Sequence, residues 1–331
     1  MIKVAINGFG RIGRMVYRAG KNDPNIEFVA VNDLTDTKTL ANLLKYDSVH
    51  GKLQNKVSHD ENHIIVDDKK IPVYKEKNPK DLPWKKHDVD VVVESTGFFR
   101  TEEKASLHLQ AGAKKVVMSA PSKGGNVFTM VKGVNEHEYN NEKIVSNASC
   151  TTNCLAPIVK VLDDNFGVEK GLMTTVHAYT SSQNMIDGPH SDPRRGRAAA
   201  VNIVPTTTGA AIAVTRVLPH LKGKLDGMAM RVPVPDGSIV DATFTLKKQA
   251  SKEEINHIFK QVSDHHLKDV LHYTEEPLVS TDIIGDPHSS IVDGTSTNVI
   301  GNMLKVVSWY DNEMGYSHRM IDVVKLIFED A

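Results

Sequence analysis

The stretch INGFGRIGR, residues 6–14, decides how the amino-terminal part of this chain folds. It grows out of an apolar run, residues 2–7, that reads as a strand, and it leads into residues 11–19, which read as a helix. Gly8, Gly10 and Gly13 stand in the G-x-G-x-x-G spacing. In that spacing the first glycine permits a tight turn, the second lets backbone approach a pyrophosphate, and the third lets the helix lie close on its strand. A second strand, residues 28–32, ends in Asp33, 20 residues after Gly13. A carboxylate there accepts from both hydroxyls of an adenosine ribose and repels a 2′-phosphate. A turn residue after a strand would explain the residue type but not the distance. The strand–turn–helix context turns a weak motif into a dinucleotide site that favours NAD over NADP.

Outward from this motif, strands alternate with helices. Residues 89–94 and 115–119 read as further strands, and residues 101–112 as a helix, with Glu102 and Glu103 suited to its first turn and Gly112 to its end. The strands end in Ser95-Thr96-Gly97 and Ser119-Ala120, and such small residues leave room for a cofactor across the carboxyl edge of a parallel sheet. Residues 50–83 are less regular, with short runs at 63–66 and 71–74 that read as a peripheral hairpin. The first half is therefore a doubly wound α/β domain.

The second half changes character. After a strand-like run at 143–145 comes SNASCTTNCLAP, residues 146–157, where a helix follows. A thiol in the first turn of a helix has its anion stabilised by unpaired backbone N–H groups and the helix dipole, which makes Cys150 a candidate nucleophile. The same groups suit a bound phosphate. Pro157 predicts a kink or a late helix start. The alternative is that Cys150 is a small buried hydrophobe. Residues 171–177 read as a strand, residues 178–200 as a long polar loop carrying Arg194, Arg195 and Arg197, and residues 212–218 as a helix. From Met228 onward strands dominate. Val240, Ala242, Phe244 and Leu246 alternate with polar residues, as in a sheet with one wet face. Residues 303–310 read as a strand, and the chain closes on a helical pattern in which Met320, Val323, Val324 and Ile327 share a face.

Composition bounds the rest. With 331 residues, 40% of them hydrophobic, the chain suits two packed domains. A net charge of −1 gives no global electrostatic reason to expect nucleic acid or a membrane as partner. Two cysteines four residues apart imply no disulfide framework, and a reducing cytoplasm fits. The N-terminus shows no signal-peptide pattern, and nowhere is there an apolar run of membrane-spanning length. The scattered histidines, His265 and His266 included, lack the companions a metal site needs, so no metal is expected.

His177, at a strand's end, is positioned to pair with Cys150, lower its thiol pKa and act as a base; the bland reading is an ordinary core histidine. Arg231 is odd in an apolar strand unless it meets an anion, and Thr180, Arg195, Thr208 and Gly209 are further anion-type groups. Together with a cofactor site they suggest a phosphorylated substrate.

The segments INGFGRIGR, VNDLTD, SNASCTTNCLAP, TTVHAYT, TTTGAA, GMAMRVPVP and VSWYDNEMGYSHR run in order over the whole chain. They closely resemble the phosphorylating glyceraldehyde-3-phosphate dehydrogenases. The resemblance implies a Rossmann-type NAD-binding domain over 1–149, completed by a C-terminal helix over 314–331, and an α+β catalytic domain with a mostly antiparallel sheet over 150–313. It implies Cys150 as nucleophile and His177 as its activator. It places Arg11, Ile12, Asp33, Lys77, Thr96, Ser119 and Asn312 at NAD, with Asn312 on the nicotinamide carboxamide. Inorganic phosphate falls to Ser149, Thr151, Thr208 and Gly209, and the phosphate of glyceraldehyde 3-phosphate to Thr180, Arg195 and Arg231. A homotetramer is implied, with the 178–200 loop near a neighbouring cofactor. Lys77 replaces a common arginine, Gly188 replaces a leucine of many NAD-specific bacterial relatives, and the loop before Arg194 is shorter than in some. An erythrose-4-phosphate dehydrogenase and a non-catalytic NAD-binding interaction protein are the competing readings. Asp33 predicts reduction of NAD in strong preference to NADP, measured as steady-state rates with glyceraldehyde 3-phosphate with and without inorganic phosphate.

Overall fold

A computed structural model describes residues 1–329. Their contacts divide into two compact units. The first holds Met1–Met130, Glu136–Ala148 and the chain from Ser317 on; the second holds Val131–Asn135 and Ser149–Tyr316. The last two residues of the closing segment read from the sequence, 330 and 331, lie outside the described residues.

The first unit is a doubly wound sheet. In chain order it contains β1 (Ile2–Asn7), α1 (Arg11–Gly20), β2 (Ile26–Asn32), α2 (Thr37–Lys45), β3 (Val57–His59), β4 (His63–Val66) and β5 (Lys69–Tyr74). These are followed by β6 (Val91–Glu94), α3 (Glu102–Gln110), β7 (Lys115–Met118), β8 (Phe128–Thr129) and β9 (Ile144–Ser146). The strand order is β3-β4-β5-β2-β1-β6-β7-β9-β8. From β5 to β8 every pairing is parallel. The short runs at 63–66 and 71–74 form an antiparallel pair toward one edge of the sheet, the peripheral hairpin read from the sequence, and β5 joins it to β2.

Every residue of β6 and β7 is buried, as strands covered on both faces must be. One side packs on Trp84, Leu82, Ala105 and Ala111. α3 begins where Thr101 accepts from Lys104 N and carries Glu102 and Glu103 in its first turn. The closing helix, α7 in chain order (Met314–Glu329), buries Met320, Val323, Val324 and Ile327 completely. Its end is fastened to the sheet by the Lys115 ammonium, which donates to Ile327 O, to Tyr139 Oη at 2.7 Å and to Asn141 Oδ1 at 2.7 Å. That buried cation is solvated by protein oxygens and sits at the negative end of the helix dipole.

The second unit begins with α4 (Cys150–Phe166), β10 (Val168–Ala178), β11 (Val204–Thr207), α5 (Ala210–Val217), β12 (Leu225–Val232) and β13 (Ser238–Leu246). It continues through α6 (Lys252–Asp264), β14 (Leu271–Thr274), β15 (Ser290–Asp293), β16 (Asn298–Ile300) and β17 (Met303–Tyr310). Its sheet runs β11-β12-β10-β13-β17-β15-β14, mostly antiparallel, with β10–β12 and β14–β15 parallel. β13 alternates strictly, burying Val240, Ala242, Phe244 and Leu246. Leu172 and Met303 remain exposed at 68% and 46%. α4 is buried almost all round from Thr151 to Leu162. It starts at Cys150 with Pro157 inside it, so the late start inferred from the proline does not occur.

The three glycines near the amino terminus meet different constraints. Gly8 has φ of +90°, where a side chain is strained. A Cβ on Gly10 would touch nothing within 4 Å. One on Gly13 would lie 2.1 Å from Gly8 O. Gly13→Ala is therefore expected to lower stability by about 1–3 kcal/mol, as overpacking does, although alanine stabilises an ordinary helix by roughly 0.5–1 kcal/mol over glycine. Thermal unfolding of the variant checks this, and an unchanged or raised midpoint contradicts the close helix–strand contact.

Candidate active site

In the first unit the chain leaves β1 to build one half of the sheet and crosses over to β6 to build the other, so the crevice beyond the carboxyl ends of β1 and β6 is the topological switch point. Gly8 N donates to Asn32 O at 2.8 Å, and Ser95 Oγ donates to Gly8 O at 2.6 Å. Asp33 Oδ2 accepts from Phe9 N at 2.8 Å, tying the acid at the end of β2 to the glycine turn. α1 opens without a side-chain cap, and its intrahelical bonds begin with Arg14 N to Gly10 O at 3.1 Å. A pyrophosphate fits such a bare helix start, and the empty space over Gly10 admits it. Arg11 and Ile12 stand at the head of α1, and the Arg11 side chain forms an ion pair with Asp47. Ser119 and Thr96 lie just past β7 and β6, and Lys77 is exposed in the loop after β5, which Asn32 holds through both Glu76 N and Glu76 O.

Beneath this crevice is a residue that the sequence reading missed. Glu94, 3% exposed, ends β6. Its Oε1 accepts from Thr96 N at 2.9 Å and Thr96 Oγ1 at 2.5 Å. Its Oε2 accepts from Asn7 Nδ2 at 2.6 Å and His108 Nε2 at 2.9 Å. Trp84 Nε1 donates to His108 Nδ1 at 3.0 Å, which puts the imidazole proton on Nε2, facing Glu94. Asn32 Nδ2 donates to Asn7 Oδ1 at 2.7 Å, so one buried network joins β1, β2, β6 and α3 under the loops that carry the motif. A glutamate ending an apolar strand was the visible signal.

In the second unit Cys150 is the first residue of α4. Its helix is capped by Ser149, whose Oγ accepts from Thr152 N at 3.2 Å. Ala148 before the cap has φ of +53°, a strained position of the kind found at functional turns. Cys150 Sγ lies 3.5 Å from His177 Nε2. Burial pushes the Cys150 thiol up, against the pull of Arg231 and of the Thr151 hydroxyl and N–H groups. Burial, reinforced by Arg231, pushes His177 down to about 3. Burial disfavours the thiolate and the imidazolium taken one at a time, because a single charge there is poorly solvated. Moving the proton from sulfur to Nε2 creates both charges together. At this separation they attract by roughly 5 kcal/mol at an effective dielectric near 20, which works against the two desolvation costs. The pair titrates as one unit.

The anion-type residues also converge. α4 and α5 pack side by side, and Thr152 Oγ1, in the first turn of α4, reaches Ala210 O at the start of α5 at 3.5 Å. Two helix N-termini therefore meet, carrying Ser149, Cys150 and Thr151 on one side and Thr208 and Gly209 on the other. Thr151 is 4% exposed, and its hydroxyl bonds Tyr310 Oη at 2.9 Å, so it faces the core as well as the sulfur. Tyr310 Oη also bonds Thr175 Oγ1 at 2.8 Å, and its ring stands edge-on to His177; this tyrosine was not singled out from the sequence. Arg231 sits directly across from His177 in the parallel β10–β12 register. Arg195 Nη2 reaches Thr206 Oγ1 and Thr207 O, both at 3.4 Å, and Thr180 Oγ1 bonds Ser182 Oγ at 2.9 Å. Asn312, past β17, accepts from Ser238 Oγ at 2.6 Å, which orients its amide. Cys154, one turn after Cys150, is fully buried, and its thiol is pushed up to about 12.

A dinucleotide crevice in one unit and a thiol–imidazole pair beside anion-binding helix starts in the other are the parts of a cysteine-dependent dehydrogenase. Residues 2–102 match the model for the glyceraldehyde 3-phosphate dehydrogenase NAD binding domain, and residues 149–312 match that for its C-terminal domain. Over 329 residues the chain is 56% identical to glyceraldehyde-3-phosphate dehydrogenase 1 of Bacillus subtilis and to glyceraldehyde-3-phosphate dehydrogenase of Geobacillus stearothermophilus, covering 98% of both chains in each case. It is 56% identical over 334 residues to the enzyme of the same name from Mycobacterium avium. The chain belongs to the glyceraldehyde 3-phosphate dehydrogenase family, and its cofactor is NAD.

Glu94→Gln would set an amide NH₂ against donors that now meet a carboxylate. A buried mismatch of this kind costs about 1–3 kcal/mol. The expected result is roughly a tenfold or greater rise in the Kd for NAD, about 1.4 kcal/mol for each tenfold, read by fluorescence titration. An unchanged Kd contradicts the role given to this network.

Proposed function

We propose that the protein catalyses the phosphorylating oxidation of D-glyceraldehyde 3-phosphate to 1,3-bisphosphoglycerate, with NAD and inorganic phosphate, through a thioester on Cys150. The observation that carries this reading is the 3.5 Å approach of Cys150 Sγ to His177 Nε2 at the first turn of α4, with the start of α5 alongside. The residues then divide the work. Sulfur adds to the aldehyde carbon while its proton passes to Nε2 and on to the carbonyl oxygen, giving a hemithioacetal and leaving Nε2 free. His177 takes the proton of the hemithioacetal hydroxyl as the carbon is oxidised. NAD, when bound, supplies the hydride acceptor. The thioester left on Cys150 keeps free energy that simple hydrolysis would dissipate. Inorganic phosphate attacks it from the paired helix starts, held by Ser149, Thr151, Thr208 and Gly209, and releases an acyl phosphate. Arg195, Arg231 and Thr180 hold the substrate's own phosphate; NAD is held by Gly8, Gly10, Arg11, Ile12, Gly13, Asp33, Lys77, Thr96 and Ser119, with Asn312 on the carboxamide.

The convergence of two helix N-termini favours inorganic phosphate as acceptor over the hydrolytic chemistry open to an erythrose-4-phosphate dehydrogenase. Phosphate-dependent NADH production with each aldehyde separates them. A cytoplasmic homotetramer completes the proposal. Exposed Leu172, Ile300 and Met303 on the second unit's sheet give a further copy an apolar surface to cover. No helix among the described residues is long and apolar enough to cross a membrane. Light scattering at working concentration is expected to return the mass of four chains.

Cys150→Ser is expected to abolish turnover while the Kd for NAD stays within a few-fold of the parent. His177→Asn is expected to lower kcat by about 10²–10⁴-fold, the usual contribution of general-base help, and, with glycerol 3-phosphate bound, to slow alkylation of Cys150 by iodoacetamide. An alkylation rate equal to the parent's removes the thiol–imidazole coupling from the mechanism.

A further inference from the structure

Three polar atoms around His177 compete for one proton. Arg231 Nη1 lies 2.7 Å from His177 Nδ1 and 3.0 Å from Ala178 O. His177 Nδ1 in turn lies 2.7 Å from Ala178 O. A guanidinium has donors and no acceptor, and a neutral imidazole has one N–H and one lone pair. Nδ1 can therefore donate to Ala178 O or accept from Arg231, but not both. A proton on Nδ1 would face an arginine N–H across 2.7 Å.

The two alternatives differ at the other end of the ring. When Nδ1 accepts from Arg231, the imidazole proton sits on Nε2 and points at Cys150 Sγ, 3.5 Å away, where it cannot receive the thiol proton. When Nδ1–H donates to Ala178 O, the Nε2 lone pair faces the sulfur and the ring is a base. The position of Arg231 selects between them.

Arg231 is built to be moved by an anion. Its Nε is buried and without a hydrogen-bond partner among the described residues. Arg195 stands close enough to repel it. Among the described residues the carboxylate paired with Arg195 is Asp192, at 3.6 Å from its Nε, and it does not reach Arg231 as an ion pair. A dianion bridging the two guanidinium groups would satisfy Nε and relieve the repulsion.

We propose that a phosphate group bound by Arg231 and Arg195 draws Nη1 away from His177 Nδ1, so that the ring proton moves, through solvent, from Nε2 to Nδ1 and the base is armed only when the phosphate is in place. Atoms balance. One proton leaves Nε2 and one arrives on Nδ1; afterwards the S–H bond breaks and its proton joins Nε2 while Nδ1–H stays on Ala178 O. Arg231 is then a positioning residue as well as a phosphate ligand. The inference rests on the proposed role of His177 as base and adds a control of substrate selection, because an aldehyde without phosphate reaches a histidine in the wrong tautomer.

The test uses the full chain with NAD bound and its histidines labelled with ¹⁵N in the ring, His177 being assigned by the resonances lost in His177→Asn. The ring proton is expected on Nε2 without ligand and on Nδ1 with saturating glycerol 3-phosphate, an unreactive phosphate monoester. The same tautomer in both states overturns the proposal. Titration with inorganic phosphate alone distinguishes the sources. A shift to Nδ1 only with the monoester assigns the control to the substrate's phosphate, and a shift with inorganic phosphate alone overturns that assignment. A second readout is the single-turnover NADH burst with D-glyceraldehyde, which lacks phosphate. Arg231→Met is expected to speed this burst several-fold over the parent while raising KM for glyceraldehyde 3-phosphate. An arginine that only binds phosphate leaves the D-glyceraldehyde burst unchanged, and that result overturns the proposal. If His177→Asn turns over glyceraldehyde 3-phosphate like the parent, the base assignment itself fails, whatever the ring tautomer shows.

Discussion

A sulfur anion in a protein interior needs counter-charge, and the second unit is organised to supply it. Ser149 caps α4 so that Cys150 falls on its first turn, and the β10–β12 register sets Arg231 beside His177. Tyr310 holds Thr151 and Thr175 through one hydroxyl, fixing the floor on which sulfur and imidazole meet. None of these groups stabilises the anion alone. Burial works against the thiolate and the imidazolium separately, and a proton transferred between them makes both ions without adding net charge to the interior.

The first unit solves a different problem, that of holding backbone close to a ligand. Its glycine turn has little side chain with which to stabilise itself, so stability comes from below. Asp33 binds the turn through Phe9 N, Ser95 binds it through Gly8 O, and Glu94 fixes Thr96 by two hydrogen bonds. The Trp84–His108–Glu94–Asn7–Asn32 chain continues the same restraint to Glu76 in the loop that carries Lys77. A polar network buried this deeply contributes stiffness only because each member has a partner.

Much of this was legible in the sequence where a local pattern had a single physical cause. Gly8 takes the positive φ of a tight turn and Gly13 the close helix contact that their spacing implied, and the alternation from Val240 to Leu246 gave β13 its buried face. Three things were not legible. α6 was missed even though Ser251 and Glu254 form a capping box, because the strands around it dominate the local composition. The 178–200 loop lacked periodicity, yet it is internally hydrogen-bonded through Asn184 N to Arg195 O, Gly188 N to Gly196 O and Ala199 N to Asn184 O. Glu94, Tyr310 and the Arg231–His177 contact depend on strands brought together across the sheets, which no spacing along the chain reports. The burial that pushes the Cys150 thiol up is likewise not visible along the chain, while the helix start is.

The second cysteine has its own consequence. Cys154 lies one helical turn beyond Cys150, wholly enclosed, with a thiol pushed to about 12, so under native conditions its sulfur stays protonated and out of reach of electrophiles. The chain therefore contains a built-in gauge of its own integrity. One equivalent of incorporated label counts competent subunits, and the onset of a second equivalent marks the moment the helix breathes open.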